Sequence, residues 1–293
     1  MVRLLLLLGL AAGLAACQTS PDVSDVDPGR DARSADTPLR RAEGDGNALT
    51  AALETRIAAA EAAGGRVRRA AFVVTDGVFN SELMAPYDIL HHTVFRDSLD
   101  YIEPFVVSPD GGPVTTFEGL RVDAHYSFES APRAEILVVP STDGSLDRDL
   151  EDDAYMETVA ELAAGAEYVI TVCDGAFPLA KTGALDGRQA TTFPADREAL
   201  ALLFPAVTVR DDVRLVVDGK YITSVGGGMS YEPALWLVER LWGAERAAAN
   251  AEGLVWPWDT ATLPHVVVAD STAASPRTAT RRTRRDSLPS RRG

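Results

Sequence analysis

A cysteine stands at the point where a predicted strand turns into a predicted helix. Cys173 follows the apolar run 168–172 and precedes Asp174-Gly175-Ala176, whose last two residues are small enough for a sharp bend. A nucleophile on such a bend projects from the carboxyl edge of a parallel sheet, where open α/β folds bind their ligands. The start of the following helix favours its thiolate form. The alternative is a buried cysteine that only fills space in the core.

The four histidines do not suggest a metal site. His91 and His92 are adjacent on a predicted helix, and His125 lies in an extended stretch from which a loop can bring it to the thiol. No pair has the spacing typical of metal ligands, and the alternative for each is a packed or surface histidine. The triple glycine at 226–228 lacks the Lys-Ser/Thr pair of a phosphate-binding loop. We therefore expect no metal and no cofactor.

For Cys173 to lie in a site, the fold must bring the ends of several strands together around it. From residue 69 onward, short apolar runs alternate with amphipathic stretches. That alternation predicts an α/β domain with a parallel sheet covered on both faces. The predicted strands are 70–75, 101–108, 135–140, 168–172 and 189–192, the predicted helices are 47–63, 86–96, 147–164, 195–203, 230–242 and one from 176, and a hairpin joins 213–217 to 221–225.

The first residues predict export. Arg3 gives a positive start, and the apolar run 4–14 is too short to span a bilayer. The stretch LAAC that ends at Cys17 resembles the lipobox of bacterial lipoproteins. That resemblance implies cleavage before Cys17, lipid attachment to its sulfur with fatty acids such as palmitate, and an anchor in a membrane of the bacterial cell envelope. The alternative is an ordinary secretory signal with Cys17 incidental to it.

Composition sets the remaining boundaries. We assign 1–16 to the signal peptide, 17–46 to the lipidated cysteine and a flexible tether, 47–258 to one α/β domain, and 259–293 to a basic, disordered tail. The formal net charge is −15, although seven arginines follow residue 276. The body is therefore strongly acidic, which argues against nucleic-acid binding through it.

Three segments resemble one known family. The run 172–192 (VCDGAFPLAKTGALDGRQATT) is similar to the core signature of the ThiJ/PfpI family of class I glutamine-amidotransferase-like domains. Residues 77–90 (GVFNSELMAPYDIL) resemble the first loop and helix of that family, and residues 222–241 resemble its closing strand and helix. The most similar subgroup contains isonitrile hydratases and the amidase-like sensor domains of certain transcription regulators.

The resemblance implies a flavodoxin-like three-layer sandwich that forms a homodimer, with Cys173 as its nucleophile. In that family an acidic residue from the first loop lies beside the cysteine, and the matching residue here is Glu82. A protonated Glu82 can donate a hydrogen bond to a thiolate and favour its charged form. The alternative is a solvated carboxylate at a helix start. An oxyanion would be bound by backbone N–H groups of Asp174 and of Ser141.

Three departures from the family pattern bear on activity. Many members have a histidine after the Thr-Thr pair as base to the cysteine, and here that position is Phe193, which we expect to line the pocket together with His125. The usual Pro-Gly-Gly loop is Pro140-Ser141-Thr142, so the oxyanion loop can differ in shape. Asp174 follows the cysteine directly, and an ionised Asp174 near the sulfur would oppose thiolate formation, although a general-acid role is also conceivable.

Two functions remain open from the sequence. One is a cysteine-dependent hydratase, hydrolase or glyoxalase-like enzyme that acts on a small electrophile, with the domain facing the periplasm or the exterior. The other is a non-catalytic domain that binds a small molecule or senses redox state. A DNA-binding regulator is a weaker third hypothesis, because the chain has an export signal and no helix-turn-helix pattern.

Overall fold

The computed structural model describes residues 47–269. The predicted signal peptide at 1–16, the lipidated Cys17, the tether up to residue 46 and the arginine-rich end of the tail all lie outside the described residues. Between residues 47 and 269, no helix combines the length and the apolar character needed to cross a bilayer.

Seven α-helices and twelve strands make up the described part of the chain. The helices are α1 (Asn47–Ala62), α2 (Asn80–His91), α3 (Asp153–Gly165), α4 (Ala176–Lys181), α5 (Arg197–Leu203), α6 (Glu232–Trp242) and α7 (Ala244–Glu252). The strands are β1 (Arg66–Val73), β2 (Asp100–Ser108), β3 (Val114–Thr115), β4 (Arg121–Val122), β5 (Tyr126–Ser127), β6 (Ile136–Val139), β7 (Tyr168–Val172), β8 (Gln189–Ala190), β9 (Thr208–Val209), β10 (Leu215–Asp218), β11 (Tyr221–Ser224) and β12 (His265–Val268). Short 3-10 helices occupy His92–Phe95, Arg148–Glu151, Cys173–Gly175, Pro194–Asp196, Gly227–Met229 and Thr260–Thr262.

Eight strands form the central sheet, in the order β12-β10-β11-β7-β6-β1-β2-β5. The six strands from β11 to β5 run parallel to one another. Strand β10 is antiparallel to β11, as the predicted Asp218-Gly219 hairpin requires, and β12 runs parallel to β10. The predicted α/β class with a largely parallel sheet is confirmed.

Both faces of the sheet are covered, which explains why its strands read as continuous apolar runs. Along β1, Ala71 and Val73 point into one core, while Ala70 and Phe72 point into the other. The first core also receives side chains of α1, α3 and α4, and the second those of α2, α6 and α7. The three-layer arrangement follows from this alternation of buried side chains.

Helix α1 is an integral part of the first core. Its residues Leu53, Ile57 and Ala60 are buried there, one turn apart along one face. The same helix carries Glu54, which accepts two hydrogen bonds from Arg69 of β1, at 2.6 and 2.7 Å.

Two sequence-based boundaries were wrong. Pro86 was expected to begin a helix, but α2 begins at Asn80 and contains Pro86 in its interior. The basic tail was expected to begin at residue 259, but His265–Val268 pairs with β10 as an edge strand, so the domain extends beyond residue 258. Helix α7, which packs on the second core through Ala247 and Ala251, was not predicted.

Truncating the buried face of α1 tests its contribution to the fold. We expect Ile57→Ala to lower the free energy of unfolding by about 2–5 kcal/mol, because Ile57 is only 2% exposed and its loss leaves a cavity. On the same helix, Leu49→Ala should change it by less than about 0.5 kcal/mol, because Leu49 is 46% exposed. Urea unfolding of both variants makes the comparison. Equal effects would contradict the docking of α1 through Ile57.

Candidate active site around Cys173

The carboxyl ends of four neighbouring parallel strands meet at Cys173. Strand β7 leads directly into it, with β6 on one side and β11 on the other, and β1 lies beyond β6. Parallel strands place the loops that follow them at the same edge of the sheet. The loops after β1, β6 and β11 therefore surround the sulfur.

The backbone at Cys173 forms the predicted strand-to-helix bend. Its φ is +57°, and among the described non-glycine residues only Val255 shares a positive φ. Such a conformation is costly for a residue with a Cβ and marks a site where the surroundings enforce it. Gly175 allows the bend to pack against β6, because a Cβ there would clash with the carbonyl oxygen of Val139.

The upstream carboxyl predicted for the site is Glu82, and it does lie beside the cysteine. A Cβ added at Gly226 would clash with Cys173 Cβ and lie 2.6 Å from Glu82 Oε2, so both side chains contact the same glycine. Glu82 is only 4% exposed. Its Oε1 accepts a hydrogen bond from the Gly227 N–H at 2.8 Å, and its Oε2 accepts one from the Ser230 hydroxyl at 2.9 Å.

Burial raises the pKa of Glu82, while these two hydrogen bonds oppose the rise. The carboxyl therefore holds its proton to a higher pH than an exposed glutamate does. The alternative of a solvated carboxylate at a helix start does not apply, because the side chain is enclosed. The carboxyl can thus act as a hydrogen-bond donor in its neutral form.

The thiol itself is not activated by its surroundings. Burial raises the pKa of Cys173, and the nearby Glu82 and Asp174 carboxylates raise it further. Hydrogen bonds to the sulfur from the Asp174 backbone N–H and the Ser141 hydroxyl oppose the rise without cancelling it. The helix start predicts a favoured thiolate, but burial, followed by the two carboxylates, shifts the pKa the other way, in the direction that the position of Asp174 next to the cysteine predicts. The resting state at neutral pH is the protonated thiol.

Asp174 points its side chain back toward the sulfur. Its Oδ2 accepts a hydrogen bond from Cys173 Sγ at 3.8 Å, and its Oδ1 accepts one from the Thr192 hydroxyl at 2.8 Å. Burial raises the pKa of Asp174 to about 6; the Thr192 hydrogen bond opposes this rise and the Asp196 carboxyl adds to it. Asp174 is therefore mostly ionised at neutral pH, yet more basic than an exposed aspartate.

The loop after β6 keeps a defined shape without the family's two glycines. The fully buried Ser141 follows Pro140, and its hydroxyl contacts the sulfur. Thr142 donates its backbone N–H to Ser145 Oγ at 2.9 Å and its hydroxyl to buried Asp149. The Ser141 carbonyl accepts from the Phe79 N–H at 3.1 Å, which joins this loop to the start of α2.

Two other predicted pocket residues lie in different places. Phe193 directly follows Thr192, whose hydroxyl binds Asp174, and its side chain is 40% exposed. His125 is not brought to the thiol. Its Nδ1 accepts from the Val106 N–H at 3.1 Å, and Arg56 and Glu103 are the charged groups that act on it. The expectation that His125 reaches the site is therefore wrong for this structure.

Several residues of the site were not predicted from the sequence. Ser230 and Gly227 bind Glu82, Thr192 binds Asp174, and Asp196 adds a second carboxyl next to Asp174. Some of these residues lie in the segments that resemble the family and could have been found there. Thr192 belongs to the 172–192 run, and Gly227 and Ser230 belong to the closing segment 222–241. Within residues 47–269, no cluster of three histidine, cysteine or acidic side chains could hold a metal ion.

Comparison with known proteins agrees with this geometry. The model of the DJ-1/PfpI family matches residues 68–240. An isonitrile hydratase of Pseudomonas putida is 32% identical over 176 residues, which is 60% of this chain and 73% of that protein. Protein dj-1beta of Drosophila melanogaster is 29% identical over 45% of this chain and 70% of its own length. The HTH-type transcriptional regulator CdhR of Pseudomonas aeruginosa is 28% identical over 51% of this chain, but only 44% of the regulator is covered.

Solved structures share the fold. A ThiJ/PfpI family protein from Pseudomonas syringae superposes with a TM-score of 0.59 at 25% identity, over 67% of this chain and 77% of the other. Drosophila melanogaster DJ-1beta gives a TM-score of 0.58 at 23% identity, over 66% of this chain and all of the other.

The triple glycine offers a matched pair of variants that tests the site geometry. Gly226 has φ 71° and ψ −151°, a conformation that essentially only glycine adopts, and it separates Cys173 from Glu82. We expect Gly226→Ala to lower the free energy of unfolding by at least about 1–3 kcal/mol and to change the rate at which Cys173 is alkylated.

The control is Gly228→Ala, whose added methyl group meets no atom within 4 Å. It should leave both the stability and the alkylation rate close to those of the parent protein. Urea unfolding and mass spectrometry of the Cys173 peptide measure the two quantities. If Gly226→Ala behaved like the control, the proposed contact of Cys173 and Glu82 across this glycine would be refuted.

Proposed function

Because the chain belongs to the DJ-1/PfpI family, we propose that it is an enzyme in which Cys173 adds to a small electrophile that is then hydrated or hydrolysed. The observation that carries this proposal is the combination of the bend at Cys173, with φ +57°, and the enclosed Glu82 carboxyl beside it. A structural cysteine needs neither the strained backbone nor a buried acid as its neighbour.

Addition to an isonitrile carbon fits a protonated thiol. The Pseudomonas putida relative is named an isonitrile hydratase. In the proposed step, the sulfur bonds to the terminal carbon of R–NC and the thiol proton is transferred to that carbon, which gives R–N=CH–S–Cys173. Water then adds to the same carbon, the C–S bond breaks, and R–NH–CHO leaves with the thiol restored. All atoms and electrons balance without an oxidant or a reductant.

Glu82 supplies the acid in this scheme. Its raised pKa keeps a larger fraction of the carboxyl protonated at neutral pH than in an exposed glutamate. In that form it can donate a hydrogen bond to the substrate nitrogen as negative charge develops there. The Asp174 N–H and the Ser141 hydroxyl interact with the sulfur. They are proposed to bind charge on the adding group together with the Ser141 N–H.

A second candidate function is a domain that binds a small molecule without turning it over. The observation that favours it is Phe193, which stands where many family members have the histidine base. The chain is also similar to part of a transcriptional regulator, although that match covers less than half of the regulator. In this candidate the pocket is retained and Cys173 is only a contact.

Turnover separates the two candidates. We expect the protein to convert cyclohexyl isonitrile into N-cyclohexylformamide, followed by NMR, because Cys173 can add to the isonitrile carbon. Cys173→Ser should abolish the conversion, and Glu82→Gln should slow it by about 100- to 10,000-fold. Asp88→Asn is the control, since Asp88 is an exposed carboxylate on the same helix as Glu82. It should keep the parent rate.

The contrary results are equally specific. If the Cys173→Ser variant still converted the isonitrile, Cys173 would not be the nucleophile. If the protein converts neither cyclohexyl isonitrile nor methylglyoxal but still binds cyclohexyl isonitrile saturably in calorimetry, the enzymatic proposal is wrong and the second candidate function, a binding domain, is supported.

We further propose that the domain is held in the cell envelope by a lipid on Cys17, as the LAAC stretch suggests. Two or more acyl chains would give stable anchoring. We expect the full chain to be found in the membrane fraction and to incorporate labelled palmitate. Cys17→Ser should lose the label and enter the soluble fraction, and label retained by that variant would contradict the proposal. The homodimer implied by the family is likewise a proposal, which sedimentation velocity tests.

A further inference from the structure

Among the described residues, the groups that act on the ionisation of the Cys173 sulfur are acidic or neutral, and none is a basic nitrogen. They are the Glu82 and Asp174 carboxyls, the Asp174 N–H and the Ser141 hydroxyl. Of the described histidines, His125 accepts from the Val106 N–H and His265 contacts the Leu263 carbonyl, while His91 and His92 both pack edge to face with Phe95. If the protonated thiol adds to an electrophile, some group other than histidine must therefore take its proton.

Asp174 has the geometry of that group. The Thr192 hydroxyl occupies its Oδ1, which turns Oδ2 toward the sulfur at 3.8 Å. Thr192 is fully buried, and its hydroxyl also lies 3.0 Å from the Cys173 carbonyl oxygen, so the carboxyl and the bend are held by one side chain.

We propose that Asp174 is a catalytic residue, whose carboxylate accepts the thiol proton from Cys173 and returns it to the adding group, with Asp196 tuning its basicity. The proposal rests on the proposed function. As the S–C bond forms, the S–H bond breaks and an O–H bond forms at Oδ2. That O–H bond breaks when the proton reaches the substrate carbon. Asp174 would then replace the histidine that Phe193 displaces.

Glu82 is less suited to this step. Both of its carboxyl oxygens already accept hydrogen bonds, from the Gly227 N–H and the Ser230 hydroxyl. The Asp174 carboxyl accepts the Thr192 hydroxyl at Oδ1 and also interacts with the Asp196 carboxyl, while its Oδ2 faces the sulfur. Its pKa of about 6 also leaves it mostly ionised at neutral pH while making it a better base than an exposed aspartate.

The charges around Asp174 come from three elements. Glu82 approaches from α2, Cys173 precedes it in the chain, and Asp196 lies at the end of the 3-10 helix before α5. Arg197 follows Asp196 in the chain, but its guanidinium donates to the carbonyl oxygens of Asp211 and Val213 at 2.8 Å. No contact of Arg197 with the Asp174 carboxyl offsets the acidic cluster.

The pH dependence of Cys173 alkylation tests this pairing without any substrate. Cys173 and Asp174 together hold two protons at low pH and one proton above the first apparent pKa of the pair. If that one proton moves between the two groups, a fixed fraction of the molecules has a thiolate beside a neutral Asp174 until the second proton is lost. The alkylation rate with iodoacetamide should therefore rise through an apparent pKa near 6, level off, and rise again only at alkaline pH. Mass spectrometry of the peptide follows Cys173 separately from Cys17.

Asp174→Asn should remove the step near pH 6 and leave a single rise. The asparagine can still accept the Thr192 hydrogen bond, while the negative charge beside the sulfur is lost, so alkylation at pH 9 should become several-fold faster. Asp196→Asn should shift the step to lower pH, because its carboxyl raises the pKa of Asp174. The control is Glu198→Gln, which removes an exposed carboxylate of α5 and should leave the profile unchanged.

The expected effect of Asp174→Asn on turnover is opposite to its effect on alkylation, and this difference excludes a merely structural role. With cyclohexyl isonitrile, Asp174→Asn should lower kcat by about 100- to 10,000-fold even though its thiol is alkylated faster. A profile without the step near pH 6, or a step that persists in Asp174→Asn, would overturn the proposal. If the step behaves as expected but the parent protein hydrates no isonitrile, the substrate assignment fails and the proton pairing stands.

Discussion

The structure around Cys173 depends on a close approach of backbone segments that only glycine permits. The bend at Cys173 requires a positive φ, and it is kept there by two contacts. Gly175 packs against the Val139 carbonyl, and Gly226 packs against Cys173 itself. Both glycines follow strands of the central sheet. The pairing of β6, β7 and β11 therefore offsets the conformational free energy of the strained φ at Cys173.

That constraint also decides the chemistry of the sulfur. Bringing the strand ends so close encloses Cys173 with Glu82 and Asp174, and burial together with two carboxyls favours the neutral thiol. Thiolates are the species that oxidants attack, and redox-sensing cysteines accordingly have low pKa values and accessible sulfurs. A buried thiol with a raised pKa has neither property. Of the two candidate functions, the redox-sensing form of the second is thus the one that the electrostatics disfavour.

The sequence predicted the framework better than the site. Strand β7 was predicted at its observed limits, because a continuous apolar run bounded by Cys173-Asp174-Gly175 has one simple interpretation. The start of α2 was missed because proline is usual in the first turn of a helix, whereas Pro86 lies in the interior of this one. Helix α7 consists of alanine, charged residues and one asparagine, so no large apolar side chain marked its buried face in the sequence.

The site shows a different limit. That Glu82 lies near Cys173 came from the resemblance to a family, since no spacing rule joins residues 91 positions apart. The contribution of Asp174 to the raised thiol pKa was predicted, whereas the larger contribution of burial was not, because burial is a property of the folded chain. Asp174 illustrates this: adjacency in sequence predicted repulsion of a thiolate, but the hydrogen bond from Thr192 decides which oxygen faces the sulfur.

Ser141 and Thr142, which stand where the family usually has two glycines, have complementary roles in the loop after β6. A loop of two glycines has a flexible backbone, whereas here Thr142 is tied to Ser145 and Asp149 by its own backbone and side chain. The loop is therefore fixed from outside the site, and the Ser141 hydroxyl, which donates to the Thr142 carbonyl oxygen at 3.4 Å, also interacts with the sulfur. A hydroxyl that donates to sulfur partly offsets the charge of the neighbouring carboxylates, so side chains in place of glycines suit a site that has acidic partners instead of a histidine.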